Sequence, residues 1–299
     1  MSATEGRARA DGGVGPAGGE AEEIVGRTMV VTGAAAGIGK ATAVELARRG
    51  ARVVVVARSA RRAEAALAEI AAAARGEPPE VVAIDLASLA AVRAGAAELL
   101  RRHRQLHVLI NNAGVCTPRR QTSADGFELT FAVNHLAPFL LTRLLLGGLR
   151  NGAPARVVNV ASVVHRRGRM HWDDLQLERR WSGRAAYAQS KLANILFTRE
   201  LARRLAGSGV TANCVHPGLI ASELGRRFPL PVRWAFRLLG GRPEKGAEGP
   251  VLLATSPALA AVNGRYFDRT HEAAPSPAAS DAAAAARLWE ISERLVGPD

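Results

Sequence analysis

The strongest constraint on the fold is an alternation of short apolar runs with longer amphipathic stretches, which begins at residue 27. Each run is rich in β-branched residues and apolar throughout, as in strands that are covered on both faces of a parallel sheet. The sequence therefore predicts a doubly wound α/β domain, with a mostly parallel sheet of about seven strands and helices on both faces. The predicted strands are 28–33, 51–57, 80–86, 106–114, 155–162, 210–218 and 264–267.

The stretches between these strands predict helices, and no linker-like change in composition interrupts the alternation. We therefore expect one domain over residues 26–299, preceded by a flexible polar tail over residues 1–25. The first predicted helix ends near residue 49. The other predicted helices cover 60–75, 88–103, 125–150, 185–207 and 243–256.

Charge is the unusual part of the composition, because 40 Lys and Arg residues stand against 27 Asp and Glu, a formal net charge of +13. Such a balance is typical of proteins that bind nucleic acid or anionic membranes. Here the arginines are spread among alanines and glutamates, without a long basic run, zinc-finger spacing or an aromatic RNA-binding motif. We interpret the charge as solvated helix faces and expect no nucleic-acid partner.

Cys116 and Cys214 are the only cysteines in the sequence, too few for a disulfide framework or a cysteine-rich metal site. Their apolar surroundings predict buried free thiols, as in a reducing compartment. The sequence also lacks a run of about 20 apolar residues and the apolar core of a signal peptide. These features predict a cytoplasmic protein with no membrane span and no metal site.

A glycine-rich turn, TGAAAGIGK at 32–40, joins the first predicted strand to the first helix. Gly33 permits a tight turn, Gly37 lets a ligand approach the backbone closely, and Gly39 lets the helix pack near the sheet. The helix N-terminus offers unpaired N–H groups to a pyrophosphate, so the turn predicts dinucleotide binding. Its spacing is G-x-x-x-G-x-G. Its predicted cofactor-binding residues are Gly33, Ala35, Ala36, Gly37, Ile38 and Gly39.

The end of the second strand indicates which dinucleotide is preferred. In NAD sites an acidic residue here accepts a hydrogen bond from the ribose 2′-OH, whereas this strand ends Val56-Ala57-Arg58. The Arg58 guanidinium could grip a 2′-phosphate through two hydrogen bonds, or it could be one more surface arginine. Because the carboxylate is missing as well, we expect NADP (NADPH) in preference to NAD.

The run YAQSK places Tyr187 and Lys191 four residues apart, on one face of the predicted helix 185–207. A free tyrosine, with a pKa of about 10, is a poor base at neutral pH, but a nearby ammonium favours the phenolate. Such a tyrosine could exchange a proton with an alcohol or carbonyl oxygen. An incidental pair on a solvated helix is the alternative. The sequence holds three lysines and two tyrosines, which favours the functional pair.

Two more polar residues are candidates for the same site. Ser162 ends the fifth predicted strand, at the edge where open α/β sheets bind ligands, and its hydroxyl could orient a carbonyl. Asn134 lies in an otherwise apolar helix, where a buried amide needs partners. It could hold a water that relays protons from Lys191, or it could satisfy backbone groups freed by a kink before Pro138.

Together these features resemble the short-chain dehydrogenase/reductase family over about residues 26–270. The resemblance includes the glycine turn, the run NNAG at 111–114 and Pro217-Gly218, and it implies a Rossmann fold with a nicotinamide dinucleotide. It implies cofactor contacts from Asp85 and Leu86 at the adenine, from Asn112, Ala113 and Gly114 along the adenosine and ribose, and from Pro217, Gly218, Leu219, Ile220 and Ser222 at the nicotinamide.

The resemblance also implies a catalytic tetrad, whose members here would be Asn134, Ser162, Tyr187 and Lys191. Tyr187 would be the proton donor, and Lys191 would lower its pKa and bind the cofactor ribose. Ser162 would orient the carbonyl, and Asn134 would hold a water.

Within the family, the long gap between Ser162 and Tyr187 looks like the retinol dehydrogenase branch, as do the insert HRRGRMHWDDLQ at 165–176 and RLWEIS at 287–292. The usual activity of that branch is an NADP-linked interconversion of an alcohol with an aldehyde or ketone on an apolar substrate. Its membrane-bound members carry an N-terminal apolar anchor, which residues 1–25 lack.

We therefore expect an NADP(H)-dependent oxidoreductase that interconverts an alcohol and an aldehyde or ketone on a moderately apolar small molecule, with Tyr187 as general acid/base. The alternative is a non-catalytic NADP(H)-binding regulatory protein. The substrate-side segments are 165–184 and 219–241, and the run 227–239 predicts an apolar helix over the cleft or a contact in a possible homo-oligomer.

Overall fold

A computed structural model describes residues 24–220 and 241–298 of the chain. Most of the predicted tail, Ser222 and the predicted apolar helix 227–239 lie outside the described residues. At the start of the described chain, Ile24 is buried, and the N–H of Gly26 donates to the carbonyl oxygen of Gly50 at 3.0 Å.

Eight strands form one sheet in the order β3-β2-β1-β4-β5-β6-β7-β8. The first seven pair in parallel and β8 pairs with β7 in antiparallel fashion, which confirms the predicted doubly wound α/β class with a mostly parallel sheet. The strands are β1 Thr28–Thr32, β2 Arg52–Ala57, β3 Glu80–Ala83, β4 Val108–Asn111, β5 Ala155–Val160, β6 Val210–His216, β7 Tyr266–Asp268 and β8 His271–Glu272.

Helices cover both faces of this sheet and bury two apolar cores. One face packs against α1, α2 and α6, and the other against α3, α4, α5 and α8. The helices are α1 Gly37–Arg48, α2 Ala60–Ala73, α3 Leu89–Arg102, α4 Leu129–Asn151, α5 Gly183–Arg204, α6 Pro243–Thr255, α7 Pro277–Ser280 and α8 Ala282–Val296.

The strand order creates the crevice in which a ligand could bind. After β1 the chain winds outward through β2 and β3, and it then returns to place β4 on the other side of β1. At such a switch point, the loops at the carboxyl ends of the two adjacent strands diverge and leave an opening. The glycine turn after β1 and the NNAG run after β4 border this opening.

The structure differs from the sequence-based prediction mainly at element ends. Four predicted strands end two or three residues early, and their remaining residues lie in the loops that follow the strands. The predicted helix 125–150 begins at Leu129, and its segment Ala132–Leu136 is a π-helical turn. The two-residue strand β8 and the helices α7 and α8 were not predicted.

α4 is long and apolar enough to cross a membrane, and among the described residues it is the one helix with this property. Within its most apolar window, 78% of the helix is buried inside the fold. Its leucines and phenylalanines pack in the core against the sheet and neighbouring helices, so core packing accounts for its apolar character.

Candidate active site

In the glycine turn, backbone groups rather than side chains face the crevice. α1 begins at Gly37, and the preceding Ala36 has no side-chain hydrogen bond to cap the helix. The first turn of α1 also lacks an acidic residue. Gly37 adopts φ +58°, and a β-carbon there would meet no atom within 4 Å. The turn therefore fits the pyrophosphate of a dinucleotide, since the N–H groups and the helix dipole face open space.

The other two turn glycines allow the strand-end loops to pack closely. A β-carbon on Gly39 would collide with the side-chain nitrogen of Asn112, and one on Gly33 would lie 2.9 Å from Cα of Ala113. The Thr32 hydroxyl accepts hydrogen bonds from the N–H groups of Asn112 and Ala113, each at 3.0 Å. These bonds fix the floor of the crevice between β1 and β4.

Arg58 lies at the edge of the crevice, directly after β2. Its side chain is 50% exposed, and its Nε is 3.8 Å from Oδ1 of Asp85, which follows β3. The same Asp85 oxygen accepts a hydrogen bond from the N–H of Ala87 at 3.1 Å, and Leu86 packs against the core. A guanidinium this exposed can reach an anion on the solvent side, which fits a 2′-phosphate.

Three of the four tetrad candidates meet where α5 packs against the end of β5. Ser162 lies close enough to Tyr187 to favour its ionised form and so to lower its pKa. Lys191 is buried; its Nζ donates to the carbonyl oxygen of Val160 at 2.7 Å and lies 5.6 Å from the centroid of the Tyr187 ring. A hydroxyl pair beside a buried ammonium can exchange a proton with a substrate oxygen.

The net pKa shift of Tyr187 in the structure is upward, opposite to the lowering predicted from the sequence. Burial raises the pKa of Tyr187 above its usual range, and the nearby Cys116 raises it further, while the neighbouring Ser162 lowers it. Burial also lowers the pKa of Lys191 to about 8. Both shifts have the same cause, because desolvation penalises the charged form of each group.

The fourth candidate, Asn134, is fully buried in the π-helical turn of α4. Its Oδ1 accepts from the N–H of Val115 at 2.7 Å, while Nδ2 donates to the Val115 carbonyl at 3.0 Å and to the Ser190 hydroxyl at 2.9 Å. A β-carbon on Gly114 would lie 3.4 Å from Asn134 Oδ1 and 3.7 Å from Lys191 Nζ, so the amide and the ammonium approach the same glycine.

The nicotinamide-side residues follow β6 directly. Gly218 adopts φ +90°, and a β-carbon there would lie 3.4 Å from Nε of Arg269. Leu219 is 59% exposed, whereas Ile220 is buried. Ser222, the last residue predicted for this group, lies outside the described residues.

Sequence reasoning missed the side chains that hold the insert 165–176. His165 accepts the N–H of Ser276 at 3.1 Å and bonds the carbonyl oxygen of Ser162 at 2.7 Å. Gln189, two residues after Tyr187, bonds the N–H of His171 and the carbonyl of Leu175. A buried amide in the middle of the YAQSK run was the pattern that could have identified Gln189.

Within the described ranges, no group of three or more His, Cys, Asp or Glu side chains is placed to hold a metal ion. Cys116 and Cys214 are both free and buried.

Comparison with known proteins agrees with this arrangement. The family model for short chain dehydrogenases matches residues 27–230. Human retinol dehydrogenase 13 is 44% identical over 286 residues, covering 92% of this chain and 86% of the relative. Human retinol dehydrogenase 14 is 44% identical, covering 94% and 89% of the two chains. Bovine retinol dehydrogenase 12 is 45% identical, covering 92% and 88%.

Solved structures give the same result. A protein from Mycobacterium paratuberculosis superposes with a TM-score of 0.76 at 36% identity, covering 93% of this chain and 96% of that one. The NADP complex of RhlG from Pseudomonas aeruginosa superposes with a TM-score of 0.68 at 28% identity, covering 82% and 95%. The chain therefore belongs to the short-chain dehydrogenase/reductase family, and within that family it is similar to the retinol dehydrogenases.

Proposed function

We propose that this protein is an NADP(H)-dependent oxidoreductase that interconverts an alcohol with an aldehyde or ketone on a moderately apolar small molecule. One observation carries the proposal: the buried Lys191 ammonium lies 5.6 Å from the centroid of the Tyr187 ring and donates to the carbonyl oxygen of Val160, two residues before Ser162. This group lies at the same sheet edge as the glycine turn. A proton-transfer group beside a dinucleotide crevice is what reversible carbonyl reduction requires.

A bound nicotinamide dinucleotide supplies or accepts the hydride in this reaction. In the reductive direction, the Tyr187 hydroxyl donates its proton to the substrate oxygen, and Ser162 holds that oxygen by a second hydrogen bond. With its pKa at about 8, Lys191 carries its proton at neutral pH. Its positive charge stabilises the phenolate that forms transiently on Tyr187. In the oxidative direction the same groups work in reverse.

The choice of NADP(H) rests on Arg58. The guanidinium follows β2, where the acidic residue of an NAD site would stand, and its half-exposed side chain can turn from Asp85 toward a 2′-phosphate. Structural relatives bind either dinucleotide, since one neighbour is an NADP complex and another, a 3-ketoacyl-(acyl-carrier-protein) reductase from Brucella melitensis, is complexed with NADH. The family alone therefore does not decide the preference, and we base the proposed choice of NADP(H) on Arg58, the residue that follows β2.

The apolar character of the substrate is proposed from the insert and from the relatives. Met170 and Trp172 are partly buried against the core next to the site, and Leu175 is buried. The curated relatives are named for retinol, a largely apolar alcohol. We propose an apolar carbonyl or alcohol of this general kind as the substrate class.

Absorbance of the reduced nicotinamide tests the proposal directly. The full-length protein is incubated with NADPH and a panel of aldehydes and ketones, and with NADP and the matching alcohols. We expect turnover, with apolar members of the panel favoured. NADPH binding without turnover on the whole panel would instead support a non-catalytic regulatory protein.

We also propose a cytoplasmic location, supported by the two free and buried cysteines. Fractionation of expressing cells checks this, and recovery in the membrane fraction would contradict it. Light scattering of the purified protein tests the possible homo-oligomer.

A further inference from the structure

The C-terminal helix α8 packs on the part of α4 that carries Asn134. This helix lies outside residues 27–230, which the family model matches. It packs against α5 and against the π-helical turn, and Leu288 and Trp289 join the core that those helices share. α8 therefore contacts the two helices that carry Asn134, Tyr187 and Lys191.

The π-helical turn holds two neighbouring residues whose side chains bond in different directions. In this turn the N–H of Ala137 donates to the carbonyl of Ala132, five residues back. Asn134 bonds the Val115 backbone and Ser190, on the crevice side. His135 bonds Ser292 of α8, with Nε2 at 2.8 Å from the serine hydroxyl.

His135 is completely enclosed. It is 0% exposed, and its ring centroid lies 5.1 Å from that of Phe131, 6.1 Å from Phe139 and 6.0 Å from Phe197. Burial lowers the pKa of His135 to about 3, so the imidazole is neutral at physiological pH. Ser292, also 0% exposed, is the polar partner that the described residues offer it.

We propose that the His135–Ser292 hydrogen bond is a positioning device that keeps α4 in the π-helical register and thereby aims Asn134 into the site. Its catalytic consequence rests on the function proposed above. Its structural consequence, the orientation of Asn134, stands without that function.

The π-helical turn could instead close into regular α-helix, and the His135–Ser292 bond opposes that change. A π-helical turn is rare, and such turns occur mostly within α-helices at functional sites. Closing it to regular α-helix would shift the register by one residue, which rotates a side chain by about 100° around the axis. Asn134 would then leave Val115 and Ser190. The bond from His135 to a separate helix opposes this shift, because a one-residue rotation would carry the imidazole away from Ser292.

Three variants separate the hydrogen bond from the packing. Ser292→Ala removes the hydroxyl. His135→Phe keeps a ring among the three phenylalanines but cannot bond Ser292. His135→Gln keeps a polar nitrogen at a similar reach and should restore the bond. Val296→Ala is the matched control, because Val296 is a buried residue of the same helix one turn further on and makes no part of the bond.

Hydrogen exchange read by mass spectrometry is the primary measurement, and it needs no activity. In the full-length protein, Ser292→Ala and His135→Phe should raise exchange at Val115 and at residues 132–137 by about tenfold, relative to wild type. His135→Gln should exchange more slowly than His135→Phe. Val296→Ala should leave these amides within about twofold of wild type. Unchanged exchange at Val115 in both Ser292→Ala and His135→Phe would overturn the inference.

Turnover gives the second measurement. Ser292→Ala should lower kcat by about fivefold to twentyfold with little change in KM for NADPH. In a protein that already carries Asn134→Ala, the same substitution should cause almost no further loss of kcat. Fully additive losses would contradict a role exerted through Asn134. Absence of turnover in the wild type would refute the proposed function alone, and the exchange data would still decide the positioning role.

Discussion

Lys191 directs its ammonium to the main chain of β5, with Nζ donating to the carbonyl oxygen of Val160 at 2.7 Å. Val160 is the last residue of β5 and precedes Ser162 by two positions. The lysine therefore links α5, which carries Tyr187, to the strand end that carries Ser162. Its charge lies 5.6 Å from the Tyr187 ring centroid, near enough to stabilise a phenolate without bonding the phenol.

Replacing this lysine should separate activity from stability. Because burial already lowers the pKa of Lys191 to about 8, the charge is unfavourable to the fold, and Lys191→Met should cost about 1 kcal/mol or less in the free energy of unfolding. The same variant should lower kcat/KM by about 100-fold or more. Urea unfolding and initial rates check the two effects. A destabilisation of several kcal/mol with normal turnover would contradict the assigned role.

Gly37 offers a test of the phosphate-binding turn with a close control. Gly37→Ala places a methyl group in the open space above the turn and forces a left-handed conformation, at a cost of about 1 kcal/mol. Gly126→Ala carries the same backbone cost, since Gly126 has φ +85° and also faces open space, but it lies in the loop before α4. Both variants should unfold at similar urea concentrations.

Dinucleotide affinity should distinguish the two glycines. Gly37→Ala should weaken NADPH binding by about tenfold or more, because the methyl occupies the place of the pyrophosphate. Gly126→Ala should bind NADPH like the wild type. Fluorescence titration with NADPH makes the comparison. Equal affinities in the two variants would place the pyrophosphate elsewhere.

Arg58 should decide the cofactor preference. Arg58→Ala removes the guanidinium that we assign to the 2′-phosphate, so KM for NADPH should rise by about tenfold while KM for NADH changes by less than about twofold. Arg150→Ala, at the other end of the sheet in the last turn of α4, is the control for loss of one surface charge. A wild-type KM lower for NADH than for NADPH would refute the assignment.

Acid should destabilise the fold through its buried histidines. Burial lowers the pKa of His135 to about 3, and burial also lowers the pKa values of His107, His165 and His216. The unfolded chain binds protons below a pH of about 6.5, whereas folded His135 does not. The free energy of unfolding is therefore highest above pH 6.5 and falls as the pH drops toward 3.

The contribution of His135 can be isolated. Between pH 7.5 and 5.5, His135 should account for about 1.4 kcal/mol of the loss in stability, so His135→Phe should show a loss smaller by that amount. His271→Gln, at an exposed position on β8, should lose as much as the wild type. Urea unfolding at both pH values gives the comparison. An identical loss in His135→Phe and wild type would show that His135 is not buried in neutral form.

The strands and the glycine turn could be predicted because their evidence is local. An apolar run such as residues 52–57 has to be buried on both faces. A glycine cluster between a strand and a helix is typical of a dinucleotide-binding turn. Tyr187 and Lys191 could be placed together because helical spacing alone brings them to one face.

Features that were not predicted from the sequence depend mostly on contacts between distant parts of the chain. In the π-helical turn of α4, Asn134 and His135 bond residues that are far away in sequence. His135 bonds Ser292, which lies 157 positions along the chain. The pKa of Tyr187 is raised because the fold buries it, and spacing along a helix gives no measure of burial. β8 was missed because two residues are too short to form a pattern.

The variant Tyr187→Phe tests whether Tyr187 transfers the proton. The substitution removes one oxygen atom and leaves the ring beside Lys191, so NADPH affinity should stay within about twofold of wild type. Turnover on the best substrate of the carbonyl panel, with NADPH saturating, should fall by about 1,000-fold or more. Turnover within about tenfold of wild type would show that another group moves the proton.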